Sequence, residues 1–165
     1  MCNVPDWLPP LVMLNNHGGQ WQRYIDAVYA VFYGDFLQSR PGFRGEPVMV
    51  GRQITGDKER TFWHVTSEGP VEGQRTPDLR RCERVGWIRP VIEHDGDPAV
   101  LSWPSQRSGR AVREVLWVRQ ADFAVVLEKR PRCWWLWTVH PTDREYKRRE
   151  FAREYEDWIK SQRRP

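Results

Sequence analysis

Apolar positions in the first quarter of the chain predict one amphipathic helix preceded by an irregular arm. Between Gln20 and Gln38 they recur every three or four residues, which predicts a helix with one buried stripe. That stripe consists of Trp21, Tyr24, Ile25, Val28, Tyr29, Phe32 and Phe36. Prolines interrupt the apolar residues of segment 1–17, so we expect this arm to pack on the domain without regular structure.

The next segment has the pattern of a short β-hairpin. Pro47–Ile54 and Arg60–Thr66 are both rich in residues that favour strands. Between them, Thr55-Gly56-Asp57-Lys58-Glu59 has the composition of a tight turn. The pattern therefore predicts a hairpin that carries His64 on its second strand.

An arginine-rich helix is predicted after the loop formed by the glycine-containing segment Glu68–Arg75. Thr76 is the expected N-cap and Pro77 the first helical residue, and the helix extends to about Trp87. On a helical wheel one side holds Leu79, Cys82 and Gly86, whereas the other holds Arg80, Arg81 and Arg84. This arrangement predicts three guanidinium groups on one accessible face.

The last third of the chain predicts an antiparallel meander followed by a helix. Ala111–Val118, Asp122–Lys129 and Cys133–His140 are strand-like runs joined by short connections. Successive side chains along these strands point to opposite faces, which predicts that one face of the sheet is core and that the other is available for ligand binding. Thr142-Asp143-Arg144-Glu145 has a capping-box pattern, which opens a helix over 142–163 that packs on the sheet. The expected fold is α+β, with residues 1–165 in a single domain.

Composition favours a folded intracellular protein with an anionic partner. The 165 residues carry a net charge of +4, and their 39% of hydrophobic residues are enough for a core. Cys2, Cys82 and Cys133 form no paired framework, which is typical of the reducing cytoplasm. No export signal or membrane span is visible, and no zinc spacing or nucleotide-binding motif occurs, so we expect neither membrane, metal nor cofactor.

Two clusters carry candidate chemistry. Guanidinium groups bind phosphate through two parallel hydrogen bonds, so Arg80, Arg81 and Arg84 are candidates for an RNA backbone. Alternatively, they form a solvated helix face paired with Glu83. His64 is a candidate acid or base at cellular pH, with Glu68 as its partner or as a second acid or base. The alternative is a histidine that only satisfies a backbone carbonyl.

The last strand and its neighbours supply further candidates. The Thr138 hydroxyl is suited to bind a phosphate, and the Trp137 indole to stack on a base. Lys129 and Arg130 at the preceding turn, and Arg113 on the first strand of the meander, are candidates for phosphate binding. The alternative is that these tryptophans are core residues and that the charges keep the turn solvated.

Four segments together resemble a known group of nucleases. These are Phe62-Trp63-His64, Asp78–Arg84 with Trp87, Phe123–Leu127 and Trp135-Leu136-Trp137-Thr138. Over roughly residues 47–140 the chain resembles the barnase/EndoU/colicin/RelE-like ribonuclease superfamily, and especially its bacterial and prophage members. The resemblance implies helices followed by a small antiparallel sheet, and RNA cleavage without metal or cofactor. It also implies a toxin of a mobile element that is neutralised by an antitoxin or immunity protein.

In such enzymes the ribose 2′-oxygen attacks the adjacent phosphate and leaves a 2′,3′-cyclic end. By this resemblance His64 is the acid or base, Arg80 and Arg84 hold the phosphate, and Thr138 supplies a hydroxyl. Arg81, Lys129 and Trp137 support them. One departure is that Trp137 and Thr138 are adjacent, which places them on opposite faces of a regular strand.

Two other functions remain open from the sequence. A noncatalytic RNA-binding or regulatory module would require the arginines but not His64. A protein-interaction factor of a phage or mobile element would use the tryptophan-rich face and the C-terminal helix.

Overall fold

The computed structural model describes residues 3–105 and 109–164, and Cys2 lies outside this part of the chain. Its α-helices are α1 (Trp21–Tyr33), α2 (Arg60–Thr66), α3 (Leu79–Glu83), α4 (Ile88–Glu93) and α5 (Glu145–Gln162). Its strands are β1 (Gly42–Phe43), β2 (Glu46–Met49), β3 (Ile54–Thr55), β4 (Lys58–Glu59), β5 (Ser67–Glu68), β6 (Thr76–Pro77), β7 (Leu101–Pro104), β8 (Arg113–Val118), β9 (Phe123–Arg130) and β10 (Cys133–Pro141). No helix within the described ranges is both long and apolar enough to span a membrane.

Six of the strands form one mixed sheet in the order β1-β2-β10-β9-β8-β7. The three predicted meander runs become the antiparallel neighbours β8, β9 and β10. They belong to a larger sheet than predicted, because β7 pairs with β8 on one side and β2 pairs in parallel with β10 on the other. The parallel pair ends at Met49 and Trp135, so within residues 3–105 and 109–164 the rest of β10 has no partner strand on that side, which we call its free edge.

The sheet has apolar side chains on both faces. One face packs against α1 and the short helices through residues such as Leu116, Leu127 and Leu136. The other contributes Trp103 and Trp117, which contact Phe151 of α5. The α+β class is therefore confirmed, with an N-terminal amphipathic helix and a C-terminal helix on a mixed sheet.

The predicted hairpin is only partly correct. The glycine-containing turn does form, with Gly56 at a φ of 67°, but it joins the two-residue strands β3 and β4. The second predicted strand, Arg60–Thr66, is wrong, because these residues form helix α2. Phe62, Val65 and Thr66 are buried at helical spacing, and such a short apolar run is ambiguous between the two periodicities. His64 therefore lies on a helix.

The arginine-rich helix differs from its prediction in both its start and its faces. Asp78, not Thr76, is the N-cap, and its side chain accepts a hydrogen bond from the Arg80 backbone N–H. The helix ends at Glu83 and is followed by a 3-10 turn. Leu79 is 43% exposed, whereas the side chain of Arg81 is only 10% exposed. The predicted accessible face of three arginines is therefore wrong.

The C-terminal helix begins at Glu145, later than predicted, and the predicted capping box does not form. Thr142 is fully buried, and its hydroxyl accepts a hydrogen bond from the Trp117 indole N–H at 3.0 Å. The Thr142 hydroxyl is thus bonded to β8, three residues before the helix begins, and does not cap the helix.

Candidate functional site

A cleft of about 480 Å³ opens where β2 separates from β10. Helix α2 forms one wall, β10 another, and the loop between β5 and β6 closes one end. Its lining residues are Gly51, Gln53, Arg60, Thr61, His64, Glu72, Arg130, Trp135, Leu136 and Trp137. The cleft combines aromatic, cationic and titratable groups, which is the usual composition of a binding or catalytic site.

Gly51, after the end of β2, lies close to Trp135 in the lining of the cleft. A Cβ atom at this position would lie 3.2 Å from both the Trp135 ring and the Thr61 hydroxyl. The Gly51 N–H donates to that hydroxyl at 3.1 Å, which ties the end of β2 to the start of α2. Glycine thus lets the backbone pass close to the indole.

His64 and Glu72 form a close pair within the cleft. The distance from His64 Nδ1 to Glu72 Oε1 is 2.5 Å. Burial would raise the pKa of Glu72, but the hydrogen bond to His64 and the charges of His64, Arg75 and Arg60 lower it overall. An ionised carboxylate only accepts hydrogen bonds, so Nδ1 carries the proton and the Nε2 lone pair remains available as a base.

The environment keeps His64 in its neutral form. Burial is the main cause that lowers its pKa below the ordinary value, and the positive charges of Arg75 and Arg81 act in the same direction. The hydrogen bond and charge of Glu72 oppose this shift without cancelling it. A neutral histidine oriented by a carboxylate is the arrangement that general-base catalysis requires.

Arg75 holds the loop that carries Glu72. Its guanidinium donates to the carbonyl oxygens of Gly69 at 2.8 Å, Ser67 at 2.7 Å and His64 at 3.3 Å. It therefore joins both ends of the loop to the end of α2. The bond to the His64 carbonyl fixes the loop directly to the residue that Glu72 orients.

Two arginines place positive charge at the mouth of the cleft. Arg60 lies 3.7 Å from the Glu72 carboxylate and donates to Gln53 at 3.4 Å. Arg130 pairs with Glu128 at 2.6 Å and leaves 45% of its side chain exposed. Both guanidinium groups line the cleft and are able to reach an anionic ligand there.

The aromatic wall consists of Trp135 and Trp137, each with a guanidinium next to its ring. Arg130 lies 5.3 Å from the centroid of the Trp135 ring. Arg113 lies 3.9 Å from that of Trp137. These distances are typical of cation–π stacking.

The arginine helix lies outside the lining of this cleft. Arg80 pairs with Asp143 at 2.9 Å and with Asp78 at 3.3 Å. Its third carboxylate neighbour, at 3.8 Å, is Glu68, the residue that the sequence suggested as the partner of His64. Arg84 donates to the Arg80 carbonyl at 3.1 Å and stacks on Trp87. Both guanidinium groups are therefore held by contacts within the protein, and the pair of Arg80 with Asp143 joins α3 to the segment before α5.

Arg81 and Lys129 also have structural contacts. Arg81 lies under the free edge of β10 and donates to the Val139 carbonyl at 2.6 Å. Lys129 pairs with Glu46 at 2.8 Å across the sheet. Arg81 thus supplies a hydrogen bond that a neighbouring strand would otherwise provide.

Thr138 lies beside Trp137 and not on the opposite face. The pairing of β10 with β9 shifts register between Leu136 and Thr138, where Trp137 is the extra residue of a β-bulge. Both residues border a second pocket, of about 180 Å³, between the sheet and α5. Thr138 is 9% exposed and does not line the larger cleft. The expectation of opposite faces is therefore wrong.

The structure brings His64, Arg130 and Trp137 together from the predicted set. It adds Glu72, Arg60, Arg75 and Trp135, which the sequence did not single out. Glu72 lies eight residues from His64 in a segment predicted as a loop, and no local pattern marks it as the partner of a histidine. Only the path of the loop brings the two side chains together.

Comparisons with protein-family models, with curated protein sequences and with solved structures give no significant match. Within residues 3–105 and 109–164, no group of three or more His, Cys, Asp or Glu side chains is arranged to hold a metal ion. Function is therefore inferred from the cleft itself.

Proposed function

We propose that this protein is an endoribonuclease that acts in the cleft beside His64 without a metal ion. The observation that carries the proposal is the His64–Glu72 pair, at 2.5 Å, inside a cleft with two cationic side chains and two indole rings. RNA combines a 2′-hydroxyl that acts as a nucleophile once a base removes its proton, a charged phosphate and flat bases. Each of these has a chemically matched group in the cleft.

In the proposed reaction, Nε2 of His64 removes the proton from a ribose 2′-hydroxyl. The 2′-oxygen attacks the adjacent phosphorus, and the bond from phosphorus to the 5′-oxygen breaks. The products are a 2′,3′-cyclic phosphate and a 5′-hydroxyl, whose proton comes from solvent in the open cleft. Glu72 keeps the imidazole in the correct tautomer and stabilises the imidazolium that forms.

Arg60 and Arg130 are the proposed phosphate ligands. Negative charge increases on the phosphate oxygens as the 2′-oxygen attacks, so fixed guanidinium groups stabilise this stage more than the ground state. The proposal thus keeps His64 from the sequence-based hypothesis, and it replaces Arg80 and Arg84 with Arg60 and Arg130.

The test is cleavage of a labelled, mixed-sequence single-stranded RNA in excess EDTA. Wild type is compared with His64→Ala, Arg130→Ala and the control Arg149→Ala, whose arginine lies on α5 with 76% of its side chain exposed. We expect His64→Ala to reduce the rate by at least about 100-fold, the usual contribution of a general base. Arg130→Ala should reduce it about 10-fold or more, because it removes a phosphate ligand.

The product ends identify the reaction. Cyclic-phosphate ends from wild type and Arg149→Ala, absent with His64→Ala, would support the proposal. RNA binding without cleavage that decreases only in Arg130→Ala would contradict it and favour a noncatalytic binding module. Identical preparation of the four proteins ensures that a contaminating nuclease would appear in all of them.

A further inference from the structure

Trp137 lies between the cleft and the smaller pocket beneath α5, and the two faces of its indole have different neighbours. Arg113 borders the smaller pocket together with Trp137 but does not line the cleft. Its guanidinium, 3.9 Å from the ring centroid, therefore stacks on the indole from the side of the smaller pocket. The other side of the indole faces the cleft.

One carboxylate holds the guanidinium groups of this aromatic wall. Glu128 accepts from Arg113 Nε at 2.8 Å and pairs with Arg130 at 2.6 Å through its other oxygen. Its side chain is only 7% exposed, so these two pairs satisfy a buried charge. Arg113 is thereby fixed behind Trp137, and Arg130 beside Trp135.

This network orders the indole before any ligand arrives. Trp137 is 39% exposed, yet the guanidinium behind it restricts its side-chain rotation, so less entropy is lost on binding. Two arginines share one glutamate, which leaves a net positive charge next to the ring. A flat, electron-rich surface beside positive charge matches a nucleobase attached to a phosphate.

We infer that the cleft-facing side of Trp137 is a stacking site for an unpaired nucleobase next to the scissile phosphate. The substrate of the nuclease would then be single-stranded RNA, an inference that rests on the proposed function. In a duplex, adjacent base pairs cover both faces of each base, so an indole fixed within a cleft has no free base to contact.

The test measures binding separately from cleavage. A fluorescein-labelled RNA oligomer with 2′-O-methyl groups on every ribose lacks the attacking hydroxyl, and its affinity is measured by fluorescence anisotropy. We expect Trp137→Leu to weaken binding of the single strand about 10-fold, while Trp137→Phe retains most of the affinity. The duplex of the same sequence should bind more weakly than the single strand and should be insensitive to Trp137→Leu.

Trp21→Leu is the matched control, because Trp21 is 41% exposed on α1 and does not line the cleft. Thermal unfolding of each variant shows whether it is folded. Equal single-strand affinity of wild type and Trp137→Leu, or equally tight binding of the duplex, would overturn the inference.

Cleavage of unmodified RNA, measured in parallel, separates this inference from the proposed function. Cleavage combined with Trp137-independent binding would retain the nuclease and reject the stacking site. Trp137-dependent binding without any cleavage would retain the site and reject the nuclease. No binding to either RNA would reject both.

Discussion

At the scale of single residues, the chemistry of the cleft depends on which carboxylate reaches His64. Glu68 is nearer in the sequence, but it pairs with Arg80 at 3.8 Å. Glu72 is further along the chain and contacts the imidazole at 2.5 Å. Glu72 fixes the tautomer with Nδ1 protonated, whereas burial keeps the imidazole neutral, since it lowers the pKa of His64 more than Glu72 raises it.

This balance predicts how cleavage depends on pH. For wild type, kcat/KM should increase with pH through an apparent pKa below about 6.5, the ordinary value for histidine, and then become constant. Glu72→Gln removes a charge that favours the imidazolium, so the acidic limb should move to lower pH. The plateau should also decrease by at least about 10-fold, because the tautomer is no longer fixed.

The measurement is a pH–rate profile of both proteins, with Glu68→Gln as the matched comparison. We expect Glu68→Gln to keep the wild-type profile, since its carboxylate contacts Arg80 and not His64. A shift of the acidic limb in Glu68→Gln, with none in Glu72→Gln, would restore Glu68 as the partner.

At the scale of elements, the loop between β5 and β6 is the part that completes the cleft. Ser67–Glu68 and Thr76–Pro77 pair as two-residue strands and close its base. Gly69, at a φ of 134°, and Gly73, at a φ of 82°, allow it to turn. Arg75 fixes the loop through three carbonyl oxygens, so Arg75 is a positioning residue for Glu72.

Arg75→Lys tests this role, because lysine keeps the charge but cannot reproduce the planar, multidentate geometry. We expect the free energy of unfolding to decrease by about 1–3 kcal/mol, as hydrogen bonds of a largely buried guanidinium are lost. We also expect kcat to decrease and the acidic limb of the pH profile to move to lower pH, in the same direction as in Glu72→Gln, because Glu72 is held less closely against His64. Urea unfolding and steady-state kinetics measure the two effects.

Arg149→Lys on α5 is the matched control, because that arginine is 76% exposed and pairs only with Glu145 among the described residues. It should change neither stability nor kcat. An Arg75→Lys protein with unaltered kcat would contradict the positioning role.

At the scale of the whole molecule, the sheet joins two apolar layers and places His140 between the sheet and α5. The imidazole packs against Phe151, with ring centroids 5.8 Å apart. Burial, together with the charges of Arg81, Lys147 and His64, lowers its pKa to about 3, against the opposing charge of Glu150. In the unfolded chain this histidine would titrate near 6.5.

This difference between the folded-state and unfolded-state pKa of His140 predicts that acid destabilises the protein. A pKa lowered in the folded state means that the unfolded state binds more protons between about pH 6.5 and pH 3, so stability falls as pH decreases through this range. At pH 4 the neutral His140 of the folded state lowers the free energy of unfolding by about 3 kcal/mol relative to neutral pH. His140→Gln should therefore lose less stability than wild type between pH 7 and pH 4. Urea unfolding at both pH values measures this, and equal losses would contradict the prediction.

The sequence by itself determined the elements whose patterns are long. Helix α1, strands β8 to β10 and helix α5 follow from periodicity over many residues, because burying one side of a repeat requires that repeat. For short segments the sequence pattern did not distinguish a helix from a strand. Arg60–Thr66 has too few residues to separate the two periods, and it is a helix that carries His64 into the cleft.

Only the tertiary structure decided which side chains meet. The pairing of Glu72 with His64 depends on the path of a loop, and the neutralisation of Arg80 depends on Asp143, which lies 63 residues away. The bulge that brings Trp137 and Thr138 to one face depends on the register between β9 and β10. Periodicity reports which side of an element is buried, whereas a site depends on contacts between distant elements, and these arise only when the chain packs.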